Sequence, residues 1–250
     1  VPKKPTLDDV IAAPVLSRDS SKPLYLQIYD ELCEFIQTGG LKPGDQFPTE
    51  LDLVERYEVG RITVRRAIAE MVQEGRLVRR AGKGTFVAAP KIERQLVDVT
   101  SFTERMRALG LQPSARVIEI KTVPATARLA RELDVNVEDP ILTLVRLRLS
   151  NEAPVALETS YLSLGRCPGL DALDLDQASL YELLGEHYGL HPVSSEKTLE
   201  LATANAWEAK HLNIRPGAAL FLLRARVMGA SEPIEYVKTL MRGDRFRFKV

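Results

Sequence analysis

Two stretches of the chain, 79 residues apart, carry the same pattern. "ARLARELDVNVEDPILTLVRLRLSNEAPVALETSYL" begins at Ala127, and "AWEAKHLNIRPGAALFLLRARVMGASEPIEYVKTLM" begins at Ala206. Aligned without a gap, Leu133 falls on Leu212 and Pro154 on Pro233. Each copy reads as helix, strand, polar turn, strand, because "ILTLVRLRLS" and "ALFLLRARVMG" alternate at their ends as half-buried strands do. Such a repeat predicts an antiparallel sheet with helices packed on it. Two related hairpins then leave a cleft between themselves and the remaining helices. Arg146 and Arg148 are two apart on one strand and so share a face. Two guanidiniums on one face repel unless an anion or carboxylates neutralise them. In "TSFTERM", Thr100 or Ser101 is placed to cap a helix whose first amides, around Phe102 and Thr103, point outward. Two readings fit this spacing. Either an anion sits between the helix start and the arginines, or Arg146 and Arg148 pair with Glu158 and Glu152 across the hairpin.

The N-terminal half has a different period. Thr49 precedes "ELDLVERY", a short amphipathic run with Thr49 as N-cap, Glu50 and Asp52 in the first turn, and Leu51 and Val54 expected to face inward. "EVG" makes a turn in which Gly60 is expected to supply a positive φ. In the second helix, from Arg61 or Ile62, Val64, Ala67, Ile68 and Met71 share one face, while Arg65, Arg66, Ala69 and Gln73 share the other. Two short helices about a tight turn make a helix-turn-helix. After Gly75 come two short extended runs, "RLVRR" and "TFVA", around "AGKG", which reads as a hairpin wing. Its glycines and Lys83 do not make a nucleotide loop: Gly82-Lys83 is followed by Gly84 rather than Ser or Thr, and position 77 is leucine. From 61 to 83 there are seven basic residues and two acids, a local excess of +5 within a chain whose formal charge is zero. That concentration is the electrostatic footprint of duplex binding.

Other classes are disfavoured. The two cysteines, Cys33 and Cys167, share no short motif, which predicts neither a disulfide framework nor a zinc site and fits a reducing cytoplasm. No apolar run reaches the roughly 20 residues of a membrane span. His187 and His191 are four apart, but Gly189 and Pro192 end the helix between them, so no metal is expected. No nucleophile elbow, Ser-His-Asp pattern or H-E-x-x-H motif argues for an enzyme, and no cofactor is expected.

Residues 22 to 87, with "PLYLQI", "GGLKPG", "FPTE", "VGRITVR" and "GKGTF", resemble the winged helix of GntR-type bacterial transcription regulators. "TSFTERMRALGLQP", "RLRLSNEAPVALETSYL", "SLYELL" and "PIEYVKTLMRGDRFRF" resemble the effector-binding UTRA domain of the HutC subfamily. The resemblance implies an α+β protein. A tail (1–20) precedes a winged helix-turn-helix domain (21–88), a linker (89–96) and an α/β, chorismate lyase-like UTRA domain (97–250) with an antiparallel sheet. It implies Arg61, Thr63 and Arg65 at the start of the recognition helix, where an arginine pairs bidentately with guanine. Thr49, Thr63 and Arg66 are expected to hold phosphates, with Glu50, Lys83, Gly84 and Thr85 completing the DNA face. In sugar-phosphate-responsive members, positions like Ser101, Phe102, Thr103, Arg146 and Arg148 hold the phosphate. Positions like Ser179 and Tyr181 add hydroxyls, and those like Glu158 and Glu235 bind sugar hydroxyls or an amine. Met241 stands where those members usually have tyrosine. The expectation is a cytoplasmic homodimeric repressor, released from a palindromic double-stranded operator by a small anionic effector. A phosphorylated amino sugar fits best. Urocanate or another small carboxylate, and an enzyme using the lyase-like pocket, are the alternatives.

Overall fold

The computed structural model describes residues 16–80, 82–95, 100–176 and 178–249. The expected tail lies outside the described residues as far as residue 15. The chain forms two compact units, Val1–Pro90 and Lys91–Val250. Among the described residues no helix is long and apolar enough to cross a membrane.

Among its described residues the first unit has three helices, α1 (Leu24–Gln37), α2 (Glu50–Tyr57) and α3 (Arg61–Gln73), and a wing of β1 (Leu77–Arg80) and β2 (Gly84–Val87). Its core joins Ile28 and Leu32 of α1, Leu53 of α2, and Val64, Ala67, Ile68 and Met71 of α3. The face expected for α3 is the one it buries. The face expected for α2 is not: Leu51 is 62% exposed, whereas Leu53 and Tyr57 are buried and Val54 packs only at the margin. Thr49 and Asp52 form a reciprocal capping box that fixes the start of α2. The turn to α3 also differs from expectation. Glu58 takes the left-handed conformation (φ 49°), while Gly60 is extended (φ −63°) and stands at the N-cap of α3 without a side-chain bond. The wing pairs antiparallel from Leu77↔Val87 to Arg80↔Gly84. The chain at 44–47 braces it, as Phe47 N–H donates to the Thr85 carbonyl (2.8 Å) and Val87 N–H to the Asp45 carbonyl (2.9 Å). Gly84 needs its glycine: φ is +109°, and a Cβ there would lie 3.1 Å from the Gln46 side chain.

The second unit is a duplication longer than the sequence pattern indicates. It begins with β3 (Ile92–Gln95), which pairs parallel with β10 (Phe246–Lys249), so residues placed in the linker belong to this fold. Then α4 (Phe102–Ala108), β4 (Pro113–Pro124), α5 (Ala127–Leu133), β5 (Pro140–Ser150) and β6 (Ala153–Ser163) make one copy. The second is α6 (Leu180–Tyr188), β7 (Ser194–Thr203), α7 (Ala206–Leu212), β8 (Ala219–Met228) and β9 (Pro233–Arg242). The six long strands form one antiparallel sheet in the order β4-β5-β6-β9-β8-β7, which reads as two mirrored triplets joined through β6 and β9. Side chains alternate across it. Leu147, Leu157, Leu222 and Leu240 pack under α7 on one face, and Ile141 and Tyr236 pack under α5. Leu142, Leu144 and Leu162 pack under α6, and Ala156, Leu223 and Met241 under α4, on the other face. The copies share end chemistry as well. Arg166 Nη1 donates to the carbonyls of Leu133 (2.6 Å) and Pro233 (2.9 Å). Arg242 Nη1 donates to those of Leu212 (3.2 Å) and Pro154 (2.9 Å), the equivalent pair. Each arginine thus satisfies the open C-terminal end of one copy's helix and ties it to the other copy's hairpin.

Candidate functional site

In the first unit the basic residues expected at DNA gather on the exposed side of α3 and the wing. Arg61, Arg65 and Arg66 are exposed on α3, Thr63 is half-buried beside them, and Lys83 and Gly84 are exposed at the wing tip. Thr85 is half-buried in β2, its carbonyl committed to Phe47. The Thr49 hydroxyl accepts the Asp52 N–H (3.2 Å), which leaves its own hydrogen to donate elsewhere. Glu50 faces the arginines: its carboxylate lies 3.2 Å from Arg65 Nη2, 3.4 Å from Arg61 Nε and 3.9 Å from Arg79 Nη2. Partial burial pushes the Glu50 carboxyl up, but the bonds from Arg65 and Arg61 outweigh it and hold it below the usual range. Arg66 stacks 3.9 Å from the Tyr25 ring centroid and Arg80 stacks 4.5 Å from that of Phe86. Arg79 and Arg80 counted toward the local charge, but their places beside Glu50 and Phe86 depend on how the wing folds back.

In the second unit a cavity of about 60 Å³ lies on the sheet face under α4 and α6. Ser101, Phe102, Arg146, Arg148, Glu158, Ser179, Tyr181 and Glu235 all line it. Thr103 does not; Thr100, one residue before the capping Ser101, takes the place on the wall. The Ser101 hydroxyl accepts the Glu104 N–H (3.1 Å), and the Glu104 carboxylate accepts the Ser101 N–H (2.8 Å). Ser179 stands at the N-cap of α6, and its hydroxyl makes no capping bond. Arg94, Arg105 and Lys197, which sequence reasoning missed, also line the cavity. Arg105 is buried and donates to the Thr100 hydroxyl (2.7 Å). Only tertiary pairing could have revealed Arg94, since it enters on β3, whose partner strand is at the far end of the chain.

The two arginines share one carboxylate. Arg146 Nη2 and Arg148 Nε both lie 3.0 Å from Glu158 Oε1. Glu152, the second partner in the ion-pair reading, is exposed in the turn between β5 and β6. The sharing is unequal in effect. Burial pushes the Glu158 carboxyl up, but Arg148 and Arg146 together draw it down to about 2. Arg146 is 1% exposed, and burial followed by the charge of Arg148 lowers its guanidinium to about 10 despite Glu158 and Glu235. One anion between two cations is stabilised twice, whereas each cation gains part of a partner and meets a like charge. Arg146 Nε and Nη1 are buried without a hydrogen-bond partner. On the far side the Tyr181 hydroxyl donates to Glu235 Oε2 (2.8 Å), and burial followed by the Glu158 charge raises the Glu235 carboxyl. The Phe102 ring lies 5.2 Å from the Arg148 guanidinium carbon. The site therefore combines two buried arginines on one carboxylate, two serine hydroxyls and an apolar wall of Leu223, Ala225, Val227 and Val237. Among the described residues no group of three or more His, Cys, Asp or Glu is placed to hold a metal ion.

Comparison with known proteins agrees with both units. A family profile described as bacterial regulatory proteins, gntR family, matches residues 24–87, and the UTRA domain profile matches residues 108–247. The HTH-type transcriptional repressor NagR of Bacillus subtilis is 35% identical over 93% of this chain and 96% of its own length. The probable fructoselysine utilization operon transcriptional repressor of Escherichia coli is 30% identical over 93% and 96%. The crystal structure of PhnF from Mycobacterium smegmatis superposes with a TM-score of 0.66 at 34% identity, covering 89% of this chain and 97% of that one.

Proposed function

The chain belongs to the GntR family of bacterial regulatory proteins, with a UTRA domain after its DNA-binding domain, and we propose that a small phosphorylated anion, best fitted by a phosphorylated amino sugar, governs its hold on DNA. It is a transcription repressor of the GntR, HutC type and not an enzyme. The observation that carries the effector reading is Arg146: a buried guanidinium with two unpartnered donors beside a cavity, one of two arginines that share a single carboxylate. A phosphate there would meet those donors, Arg148 and the hydroxyls of Ser101 and Ser179. A sugar body would lie against the apolar wall, with Glu235 and Tyr181 for its hydroxyls or amine. The absence of a hydroxyl at Met241 makes this chain's contacts differ from those of members with tyrosine there.

On the DNA side, the reading takes Arg61 and Arg65 for base edges, and Thr49, Thr63, Arg66, Lys83, Gly84 and Thr85 for the backbone. Two copies of the chain, acting in the cytoplasm, would match a palindromic operator, because a two-fold dimer fits a two-fold site. The effector must favour an arrangement that does not fit adjacent half-sites, since equal affinity for both arrangements shifts nothing. Arg94 and Phe246 line the cavity from β3 and β10, and β3 is where the chain enters this unit. A ligand that shifts β3 therefore acts directly on the segment leading from the DNA-binding unit.

The test is fluorescence anisotropy of the full chain on a GntR-type palindromic duplex, with glucosamine 6-phosphate or N-acetylglucosamine 6-phosphate added. Release of DNA at low ligand concentration supports the reading. Tight DNA binding indifferent to both sugars, but relieved by urocanate or another small carboxylate, would discard the amino-sugar effector and keep the regulator.

A further inference from the structure

The arginines on the DNA-facing side of the first unit are held in two different ways. Arg66 and Arg80 lie over aromatic rings, which fix their planes without neutralising them. Arg61, Arg65 and Arg79 come from two separate elements, α3 and β1, and all reach Glu50 at the start of α2. All three arginine side chains remain more than half exposed, while the Glu50 side chain is 23% exposed. Arg61 meets the carboxylate through Nε, which leaves its Nη1–Nη2 edge for an end-on partner. In water such pairs add little to stability. Their effect arises when a duplex covers them and excludes solvent, because the field of a desolvated carboxylate is screened less.

Building on the DNA-binding reading above, we propose that Glu50 is a positioning and specificity-setting residue: its carboxylate occupies, between Arg61, Arg65 and Arg79, the place a DNA phosphate would otherwise take. Three clustered arginines without it would clamp any backbone, whatever the sequence. With it, a phosphate pressed into the cluster meets a fixed negative charge, and the guanidiniums are presented to base edges. Glu50 thus weakens binding to every wrong register and spares the one in which the arginines find guanines. Discrimination is a difference between two affinities, and a repulsive element against the wrong partner raises it as surely as an added contact to the right one.

The experiment compares the wild-type chain, Glu50→Gln and Glu50→Ala on two duplexes, by anisotropy across a salt series. One duplex is selected from a random pool by the wild-type chain, and the other is an unselected random sequence. Both variants are expected to bind the random duplex about tenfold more tightly, with a salt slope steeper by about 0.9, the value for one further phosphate contact. The selected-to-random ratio should fall about tenfold. Thermal melts of both variants report whether α2 and its capping box survive. An unchanged ratio, or equal weakening on both duplexes in a folded variant, would overturn the proposal. So would loss of preference at a single cytosine with random binding unchanged, since that marks Glu50 as a direct base acceptor. Failure of the wild-type chain to select any duplex would instead overturn the DNA-binding reading, and this proposal with it.

Discussion

Replacing Arg146 by methionine should make the effector-free protein more stable while destroying its response. Burial and the charge of Arg148 lower the guanidinium from its ordinary range to about 10, and at about 1.36 kcal/mol per pK unit the cost of holding it charged is on the order of 3 kcal/mol. Methionine fills most of the same space, and the imperfect repacking returns up to about 1.5 kcal/mol of that. The net gain is about 1–2 kcal/mol, or about 3–6 °C in Tm for a unit of this size. Glu158→Gln acts oppositely. It strips the one carboxylate from two buried cations and should cost about 3–5 kcal/mol. Trp207 is the sole tryptophan and lies on α7, so its fluorescence reports unfolding of the second unit alone. Melts are run in phosphate-free buffer, because any anion that binds the native state raises its stability. For the response, loss of two charge-assisted donors at about 1.5 kcal/mol or more each weakens an anionic effector about 100-fold or more, read by isothermal titration calorimetry. If Arg146→Met lowered Tm as far as Glu158→Gln does, the Arg146 charge would be compensated in the free protein. The case for a missing anion would then collapse.

Further outcomes follow from the same structure. Arg148→Ala should abolish induction by sugar phosphate yet leave operator affinity within about twofold, whereas Arg65→Ala should weaken the operator by about 1–3 kcal/mol and leave effector affinity unchanged. Arg166→Ala removes the donor to three carbonyls, those of Leu133, Asp134 and Pro233, and Arg242→Ala the donor to two, those of Pro154 and Leu212, so each should cost about 2–4 kcal/mol in urea unfolding followed by Trp207, with Arg166→Ala at least as costly; a loss below about 1 kcal/mol for either would mean that its clamp does not hold the helix end. Glu158 titrates near 2 in the folded chain against 4.5 ordinarily, so its contribution is whole above about pH 4.5 and is lost as pH falls toward 2. The urea midpoint should decline through that window, and Glu158→Gln should flatten the decline.

What the sequence disclosed depended on how local the signal was. The buried face of α3 repeats at regular spacing over about two turns, so Val64, Ala67, Ile68 and Met71 stand out. Helix α2 has only eight residues, and two faces fit it almost equally; packing against α1 and α3 chose Leu53 and left Leu51 in solvent. Gly60 suggested the left-handed turn residue, yet Glu58 adopts it, since the chain needed an extended N-cap at 60. The strand β3 was invisible because a four-residue strand has almost no period, and its partner β10 lies more than 150 residues away. Thr103 was expected on the cavity wall and Thr100 was not, because motif spacing fixes the start of α4 but not which flanking side chain turns inward. The carboxylate shared by Arg146 and Arg148 follows from register: Glu158 lies directly opposite Arg146, and the bulge at Arg148/Leu149 ends the even pairing before Glu152.

The duplication also explains why Arg146 and Arg148 stand in one half of the cavity and have no counterparts in the other. Shifted by the repeat offset, Arg146 corresponds to Ala225, Arg148 to Val227, Glu158 to Val237, and Ala156 to Glu235. All eight line the cavity. The same holds for Phe102 and Tyr181 at the helix starts. The cleft thus sits where the two copies face each other, a place that two identical copies would have made symmetric. Two sets of arginines there would have put four guanidiniums in one small space, at a desolvation cost no single anion could offset. Keeping Arg146 and Arg148 in one copy, with Ala225 and Val227 at the equivalent places in the other, leaves two guanidiniums sharing the single carboxylate of Glu158. It also removes the second orientation that a symmetric cleft would offer, because a ligand turned end for end would set its charge against Ala225 and Val227. On the effector reading proposed above, a ligand would enter with its anionic end toward β5, and its other end would lie against β8 and β9, within reach of Glu235.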